Sequence, residues 1–179
     1  MSLGLTGLGL GIGAARFIPG QLLQAPTDFT DAAWGKSGVG TGSAPVVTAN
    51  ATTAPDGTMT ADKIVFDRGA GNTVGDYSIL IQSNISTIAG NYLGNVYLKA
   101  VAGSVGKELG LRHVSIGSYG TPITLTADWV RYTKEEASAG GLKSFDLVTR
   151  GTITADNTVS VYVWGANLVA GTIEYPVIT

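Results

Sequence analysis

The chain has 179 residues, enough for one domain with a substantial core, and only 13% of them are charged. The formal net charge of −2 provides no basic field that would attract nucleic acid or an anionic membrane surface. With no cysteine and one histidine, the chain has no disulfide, no thiol catalysis and no metal site built from two histidines.

The first predicted element is an arm at residues 1–24, in which glycine alternates with apolar residues and Arg16 is the one charged side chain. Glycine is entropically costly to order and has no side chain to bury, so this segment cannot form its own core. In an extended arm, apolar side chains on one side and bare backbone on the other favour packing against another chain. The predicted assembly contacts are Leu3, Leu5, Leu8, Leu10, Ile12 and Phe17.

The alternative for the arm is a terminus without fixed structure. Its apolar run is shorter than the roughly 20 residues that a transmembrane helix needs, and it is interrupted by glycine. It also lacks the early positive charge of a secretory signal. We therefore expect no membrane insertion.

Residues 25–179 form the second predicted unit, a domain of short strands and turns. Runs rich in Val, Ile and Thr favour strands, and they occupy 46–49, 61–66, 77–82, 92–100, 109–116, 128–133, 144–149 and 158–164. Turns are predicted at 55–57, which is Pro-Asp-Gly, and at 89–91. The best helical stretch, 134–141, ends early at two glycines. The pattern predicts an all-β antiparallel sandwich, in the form of a jelly roll.

Side-chain alternation divides these strands into two faces. On the last strand Val159, Val161 and Val163 share the core face, while the opposite face of the strands collects aromatic and polar side chains together with Lys99. Aromatic rings stack on sugars and polar groups orient sugar hydroxyls, so this opposite face is predicted to bind a glycan or to form an interface. Its predicted residues are Asn95, Tyr97, His113, Tyr162 and Trp164.

A second interpretation of the same aromatic residues stays open. Aromatic side chains are also enriched at protein interfaces. Tyr162 and Trp164 would then pack under a loop or against a neighbouring subunit.

Groups that could support catalysis are few. A lone histidine such as His113 is more often a hydrogen-bonding group than a metal ligand. Asp28 with Asp31, and Glu135 with Glu136, are carboxylate pairs of the kind a glycosidase uses, but the second pair lies in a charged stretch typical of a solvated surface. We expect no enzymatic activity, and glycan cleavage is the least favoured interpretation.

Acidic loops offer oxygen ligands for a structural calcium ion, without the spacing of an EF-hand. The side chains concerned are Asp28, Asp31, Asp56, Asp62, Asp67 and Asn72. The alternative is that they are solvated turn residues. No other metal and no cofactor is predicted.

Five stretches of the body occur in a characteristic order: FTDAAWGKSGV, VTANATTAPDGTMTADKIV, GNVYLKA, DWVRYT and VYVWGANLVAGT. Over most of residues 22–179 their order and spacing resemble a jelly roll of the carbohydrate-binding-module type found in structural proteins of tailed bacteriophages. The resemblance implies a non-enzymatic virion protein of the head-spike, head-fibre or decoration type.

In a protein of that type, the arm would attach to other virion proteins or to sister subunits. The jelly roll would project as a decoration, spike or fibre-base module. Projecting phage proteins are often trimeric, so the resemblance also implies a homotrimer located in the virion. The alternative function is a glycan-binding adhesion module that recognises a polysaccharide of the host surface.

Overall fold

The computed structural model describes residues 20–114 and 120–171, which form eight β-strands and no helix. The strands are Gly35–Val39 (β1), Ser43–Thr52 (β2), Ala61–Asp67 (β3), Tyr77–Ala100 (β4), Glu108–His113 (β5), Thr121–Thr124 (β6), Val130–Arg150 (β7) and Thr158–Ala170 (β8). Within the described residues there is no helix of the length and hydropathy needed to cross a membrane. The predicted arm contacts Leu3, Leu5, Leu8, Leu10, Ile12 and Phe17 lie outside the described residues.

The strands belong to one antiparallel sheet that curls into two layers. Its order is β2-β3-β8-β4-β7-β5-β6, with β1 also paired to β4. The long strands β4 and β7 pair with each other from Tyr77↔Arg150 to Leu98↔Val130 and so contribute to both layers. The first sheet contains β2, β3, β8 and the later half of β4; the second contains β1, β5, β6 and the early part of β4. The predicted all-β jelly-roll sandwich is confirmed.

The core lies between these two sheets. Val159, Val161 and Val163 are fully buried there, as alternation along β8 predicts. Trp34 is also buried, with its ring 5.0 Å from Phe29 and its indole N–H donating to the Ala25 carbonyl. The segment before β1 therefore helps to close the core.

The middle of the long strands shows that the predicted turn at 89–91 is wrong, and the weak helical candidate at 134–141 is also strand. The turn predicted at 89–91 and the helical stretch at 134–141 lie opposite each other in the β4–β7 ladder, where Gly90 pairs with Ser138. A ladder satisfies the backbone groups of both segments at once, which outweighs the weak local preferences of each. Gly140 takes a left-handed φ of +90° within β7, a conformation that glycine accepts without steric cost.

Residues 21–24, which belong to the predicted arm, lie against the end of β8. Gln21 forms a β-bridge with Val169, and the Leu22 amide donates to the Leu168 carbonyl at 2.8 Å. Leu23 is buried and belongs to the hydrophobic core. The path of the chain from residue 21 onward is therefore fixed by the sandwich.

Candidate functional site

The first sheet presents three rows of side chains on the face turned away from the core, which we call the outer face. Cross-strand register defines the rows: Lys63, Tyr162 and Lys99; then Trp164, Tyr97 and Arg131; then Asn167, Asn95 and Thr133. Neighbouring strands lie about 4.8 Å apart and successive rows about 6.7 Å apart. The nine residues therefore span roughly 10 by 13 Å, in which the first two rows and Thr133 reach the surface while Asn95 and Asn167 are buried.

An aromatic pair occupies the centre of the outer face. The Tyr97 and Trp164 rings lie with their centroids 5.6 Å apart and tilted by 58°, and both side chains are half-buried. The Trp164 indole N–H donates to the Thr60 hydroxyl at 3.1 Å, which fixes the plane of the indole. The Arg131 guanidinium lies 6.0 Å from the Tyr97 ring centroid, at the outer limit of a cation–π contact. The result is a fixed apolar surface bordered by a cation.

A bulge at Gly165 brings Trp164 and Asn167 to the same face although they are three residues apart. Tyr97 pairs with Trp164 and Asn95 with Asn167, so β8 contains one more residue than β4 between these two pairs. Gly165 has a φ of +62°, the left-handed conformation that accommodates such an extra residue. Without the bulge, strict alternation would turn Asn167 toward the core.

The two asparagines beside the aromatic pair are buried and incompletely bonded. Asn95 is 2% exposed and Asn167 is 5% exposed. Neither Asn95 Nδ2 nor Asn167 Oδ1 has a hydrogen-bond partner. A buried amide group without a partner costs about 1–3 kcal/mol, which a ligand supplying both a donor and an acceptor would recover where its binding uncovers these atoms. A sugar hydroxyl supplies both in one group.

The loop at residues 53–60, between β2 and β3, borders the outer face. Its turn is confirmed at Gly57, which has a φ of +85° and donates its amide to the Ala54 carbonyl. Trp129, just before β7, donates its indole N–H to the Thr53 carbonyl at 3.2 Å. Three strands separate β2 from β7 in the sheet, so this hydrogen bond joins segments that the strand order keeps apart. The loop and Trp129 together form a wall beside the aromatic pair.

His113 is the predicted site residue that does not belong to this face. It is fully buried, and its ring stacks at 6.3 Å and 17° on Phe145 in the core. Burial lowers the pKa of His113 below its ordinary value, against the opposing effect of Glu136, whose Oε2 lies 3.6 Å from Nδ1. The prediction assumed that alternation continued through residue 116, but the strand ends at His113, and Val114 has a φ of +43°.

The other four predicted site residues, Asn95, Tyr97, Tyr162 and Trp164, share the outer face. Four further residues at this face were not predicted from the sequence: Lys63, Trp129, Arg131 and Asn167. For Arg131 and Trp129 a signal existed, because in DWVRYT the alternate residues Trp129, Arg131 and Thr133 share one face. For Lys63 and Asn167 no local signal existed, since their positions depend on register and on the bulge.

The acidic side chains considered as calcium ligands are spread over separate turns and strand β3. Asp31 and Asp56 accept hydrogen bonds from backbone amides two residues further on, and Asp62 accepts from the Phe29 and Asn50 amides at 2.8 and 2.9 Å. In the described part of the chain, no three His, Cys, Asp or Glu side chains are grouped so that they could hold a metal ion.

The carboxylate pair Glu135 and Glu136 points in two directions. Glu135 pairs with Leu93 on the side of the outer face and is exposed. Glu136 points to the opposite side, where it contacts His113 and Lys134. The two carboxylates therefore cannot flank one glycosidic bond.

The chain matches no protein-family model and no curated protein. Its fold does match solved structures. The module TmCBM61, solved in complex with β-1,4-galactotriose, aligns with a TM-score of 0.53 at 15% identity, over 84% of this chain and 99% of that one. The family 11 carbohydrate-binding module from Clostridium thermocellum, in complex with a β-1,3-1,4-mixed-linked tetrasaccharide, aligns with a TM-score of 0.52 at 11% identity, over 81% and 92%.

The protein has the jelly-roll fold of carbohydrate-binding modules. At this level of identity the likeness concerns the fold alone. The enzymatically active domain of tailspike protein 4 from bacteriophage CBA120 also aligns, at 9% identity over 80% of this chain and 20% of that one, with a TM-score of 0.49. That likeness is too weak to bear on function, and the predicted virion location stays a prediction.

Proposed function

We propose that this jelly roll is a glycan-binding module whose site is the outer face of the first sheet. The observation that carries the proposal is the Tyr97–Trp164 pair beside the unpaired amides of Asn95 and Asn167. Aromatic rings supply a surface on which the apolar face of a sugar packs, and amides direct the hydroxyls. The jelly-roll fold, shared with modules solved in complex with oligosaccharides, supports the same interpretation.

The proposed activity is binding without cleavage. Hydrolysis of a glycosidic bond needs two carboxyl groups on either side of it. Among the described residues of β7, Glu135 is directed to the outer face and Glu136 away from it. A sugar on the aromatic pair would therefore face at most one of these two carboxylates of β7, and not the pair that hydrolysis needs.

The test is affinity electrophoresis of the purified protein through gels containing a panel of bacterial and plant polysaccharides. Retardation by at least one of them is expected, and Trp164→Ala and Tyr97→Ala should each weaken it by about tenfold or more. The matched control is Tyr77→Ala, because Tyr77 is a half-buried tyrosine on the second sheet, stacked 4.0 Å under Arg150. Tyr77→Ala should leave retardation unchanged.

Folding of each variant is checked by thermal unfolding before its affinity is compared. Trp164→Phe keeps an aromatic ring but removes the hydrogen bond to Thr60, so it should retain most of the binding. Retardation that disappears in Tyr77→Ala and survives in Trp164→Ala would place the site on the other sheet and refute the proposal. Failure of every polysaccharide in the panel would refute glycan binding itself.

The role in a virion is a second proposal, and its support is the attachment of the arm. Gln21 and Leu22 hold the chain against β8, so the position of the chain at residues 21 and 22 is fixed by the sandwich. We expect a deletion of residues 1–19 to abolish attachment to virions that lack the protein, and to reduce a trimer to monomers in sedimentation. The deletion stops there because Leu23 is part of the core. Unchanged attachment and mass would refute the role of the arm.

A further inference from the structure

Three cations on the outer face have no anionic partner among the described residues. The nitrogens of Lys63, Lys99 and Arg131 have no carboxylate of the described residues within 4.0 Å, and none of the three side chains makes a hydrogen bond. They alternate with aromatic rings across the sheet, because Tyr162 lies between Lys63 and Lys99. We propose that the outer face binds an acidic polysaccharide, whose sugar carboxylates these cations recognise. This inference rests on the proposed glycan-binding function.

Most other described cations are held by the protein itself. Lys134 pairs with Glu136 and Arg112 with Asp146. Backbone carbonyls accept hydrogen bonds from Lys36, Arg68, Lys107 and Arg150. Lys143, at the corner between the sheets, is the fourth cation without a partner among the described residues. Three of the four unpartnered cations thus lie on one face of one sheet.

The concentration of positive charge on this face contrasts with the chain as a whole. The net charge of the chain is −2, while the outer face carries three cations against two carboxylates, Glu135 beside its third row and Asp67, four residues beyond Lys63 on β3. Asp128 and Asp56 lie near its border, on the approach to β7 and in the loop, without contacting the three cations. A local field of this sign attracts an anion in a protein that would otherwise weakly repel one.

Arg131 gives the most specific indication. Its Nε is buried and has no hydrogen-bond partner, so this N–H donor is unsatisfied. The neighbouring donor Asn95 Nδ2 is also unpaired, one row further along the face. Two unpaired donors beside an aromatic pair fit an acceptor-only group carried on a sugar ring. A carboxylate is such a group, and its planar geometry matches the guanidinium fork.

The test compares acidic polysaccharides, such as polygalacturonate and alginate, with the same polymers after chemical reduction of their carboxyl groups to alcohols. The chain is otherwise the same, so a difference in affinity isolates the charge. We expect the full-length protein to bind at least one acidic form about tenfold or more tightly than its reduced form. Binding should also weaken as salt is raised from about 0.05 to about 0.5 M.

The variants Lys63→Gln, Lys99→Gln and Arg131→Gln remove the cations one at a time. Each lysine change should weaken binding by about two- to fivefold, and the arginine change by about tenfold. The control is Lys107→Gln, which changes the net charge by the same amount. Lys107 lies away from the outer-face rows, because its Nζ donates to the Thr158 carbonyl at the other end of β8. Lys107→Gln should bind as the parent does.

Each other outcome has a defined meaning. Equal binding of the acidic and reduced polymers, lost in Trp164→Ala but not in the cation variants, would overturn the acidic preference and leave the glycan-binding function standing. Acidic binding that survives Trp164→Ala would show unspecific charge attraction and overturn the inference. If neither form binds, the inference is overturned and so, for the polymers tested, is the proposed glycan-binding function on which it rests.

Discussion

Gly94 provides the sharpest test of how the two sheets are fitted together. It is buried in β4, and a Cβ added there would lie 2.4 Å from His113 Cδ2 and 2.7 Å from His113 Cγ. Contacts below about 3.0 Å do not occur, so in Gly94→Ala the imidazole must move by more than half an ångström. It has little room to do so, because it is fully buried and stacked on Phe145.

The expected cost of Gly94→Ala follows from this overlap. Overpacking a closed core costs about 1–3 kcal/mol. For a domain of this size each kcal/mol lowers the melting temperature by about 2–4 °C, so a fall of roughly 2–12 °C is expected. The measurement is calorimetric unfolding at neutral pH, supported by the denaturation midpoint in urea. Gly75→Ala is the matched control, because its Cβ would meet only Thr73 Oγ1 at 3.5 Å, an ordinary contact.

A double-mutant cycle identifies His113 as the cause. His113→Ala alone should destabilise the protein, because it removes a packed ring from the core. It also frees the space that the methyl group added in Gly94→Ala would need. Gly94→Ala should therefore cost much less in the His113→Ala background, with a coupling of at least about 0.5 kcal/mol. If Gly94→Ala were neutral, or equally costly in both backgrounds, the close approach of the two sheets at this point would be refuted.

Two further predictions concern a carboxylate and the bulge. The Thr73 hydroxyl, followed by the Thr41 and Thr73 amides, holds the pKa of Asp76 well below its ordinary 3.8. The contribution of this carboxylate to stability is therefore complete above about pH 5 and is lost as the pH falls below that. In urea titrations the difference in stability between the parent and Asp76→Asn should shrink from about pH 5 to about pH 2, and a constant difference would contradict this. Gly165→Ala places a Cβ on a residue with a φ of +62°, 3.5 Å from the Tyr97 ring. The strained backbone should lower the free energy of unfolding by about 1–2 kcal/mol, measured by calorimetry. An unchanged melting temperature would argue against the bulge.

The fold could be predicted because alternation is a local property. Val159, Val161 and Val163 mark the core side of β8, and the structure buries all three. The position of Tyr162 and Trp164 on the opposite side follows from the same count. Strand length was harder to predict: the turn-like residues 89–91 are held in β4 by pairing with a distant part of the chain. Such pairing energy cannot be read from a window of neighbouring residues.

The site could be predicted only where local alternation was unbroken. For His113 the prediction failed because one residue in a left-handed conformation, Val114, ends the alternation. Asn167 was not predicted, because the Gly165 bulge shifts the alternation of side chains along β8 by one residue. Lys63 joins the outer face through the pairing of β3 with β8, and nothing near it in the sequence indicates that neighbour. Register, bulges and strand ends are set by the whole sheet.

The outer face also differs energetically from the core behind it. The core side of β8 presents valines, whose burial stabilises the fold without any need for hydrogen-bond partners. The outer side holds three buried polar atoms without partners, Asn95 Nδ2, Asn167 Oδ1 and Arg131 Nε, around a pair of rings. Each such atom destabilises the free protein, by about 1–3 kcal/mol for a neutral group. A ligand that bonds them regains this free energy on binding, so the same arrangement that weakens the empty fold would strengthen its complex with a sugar.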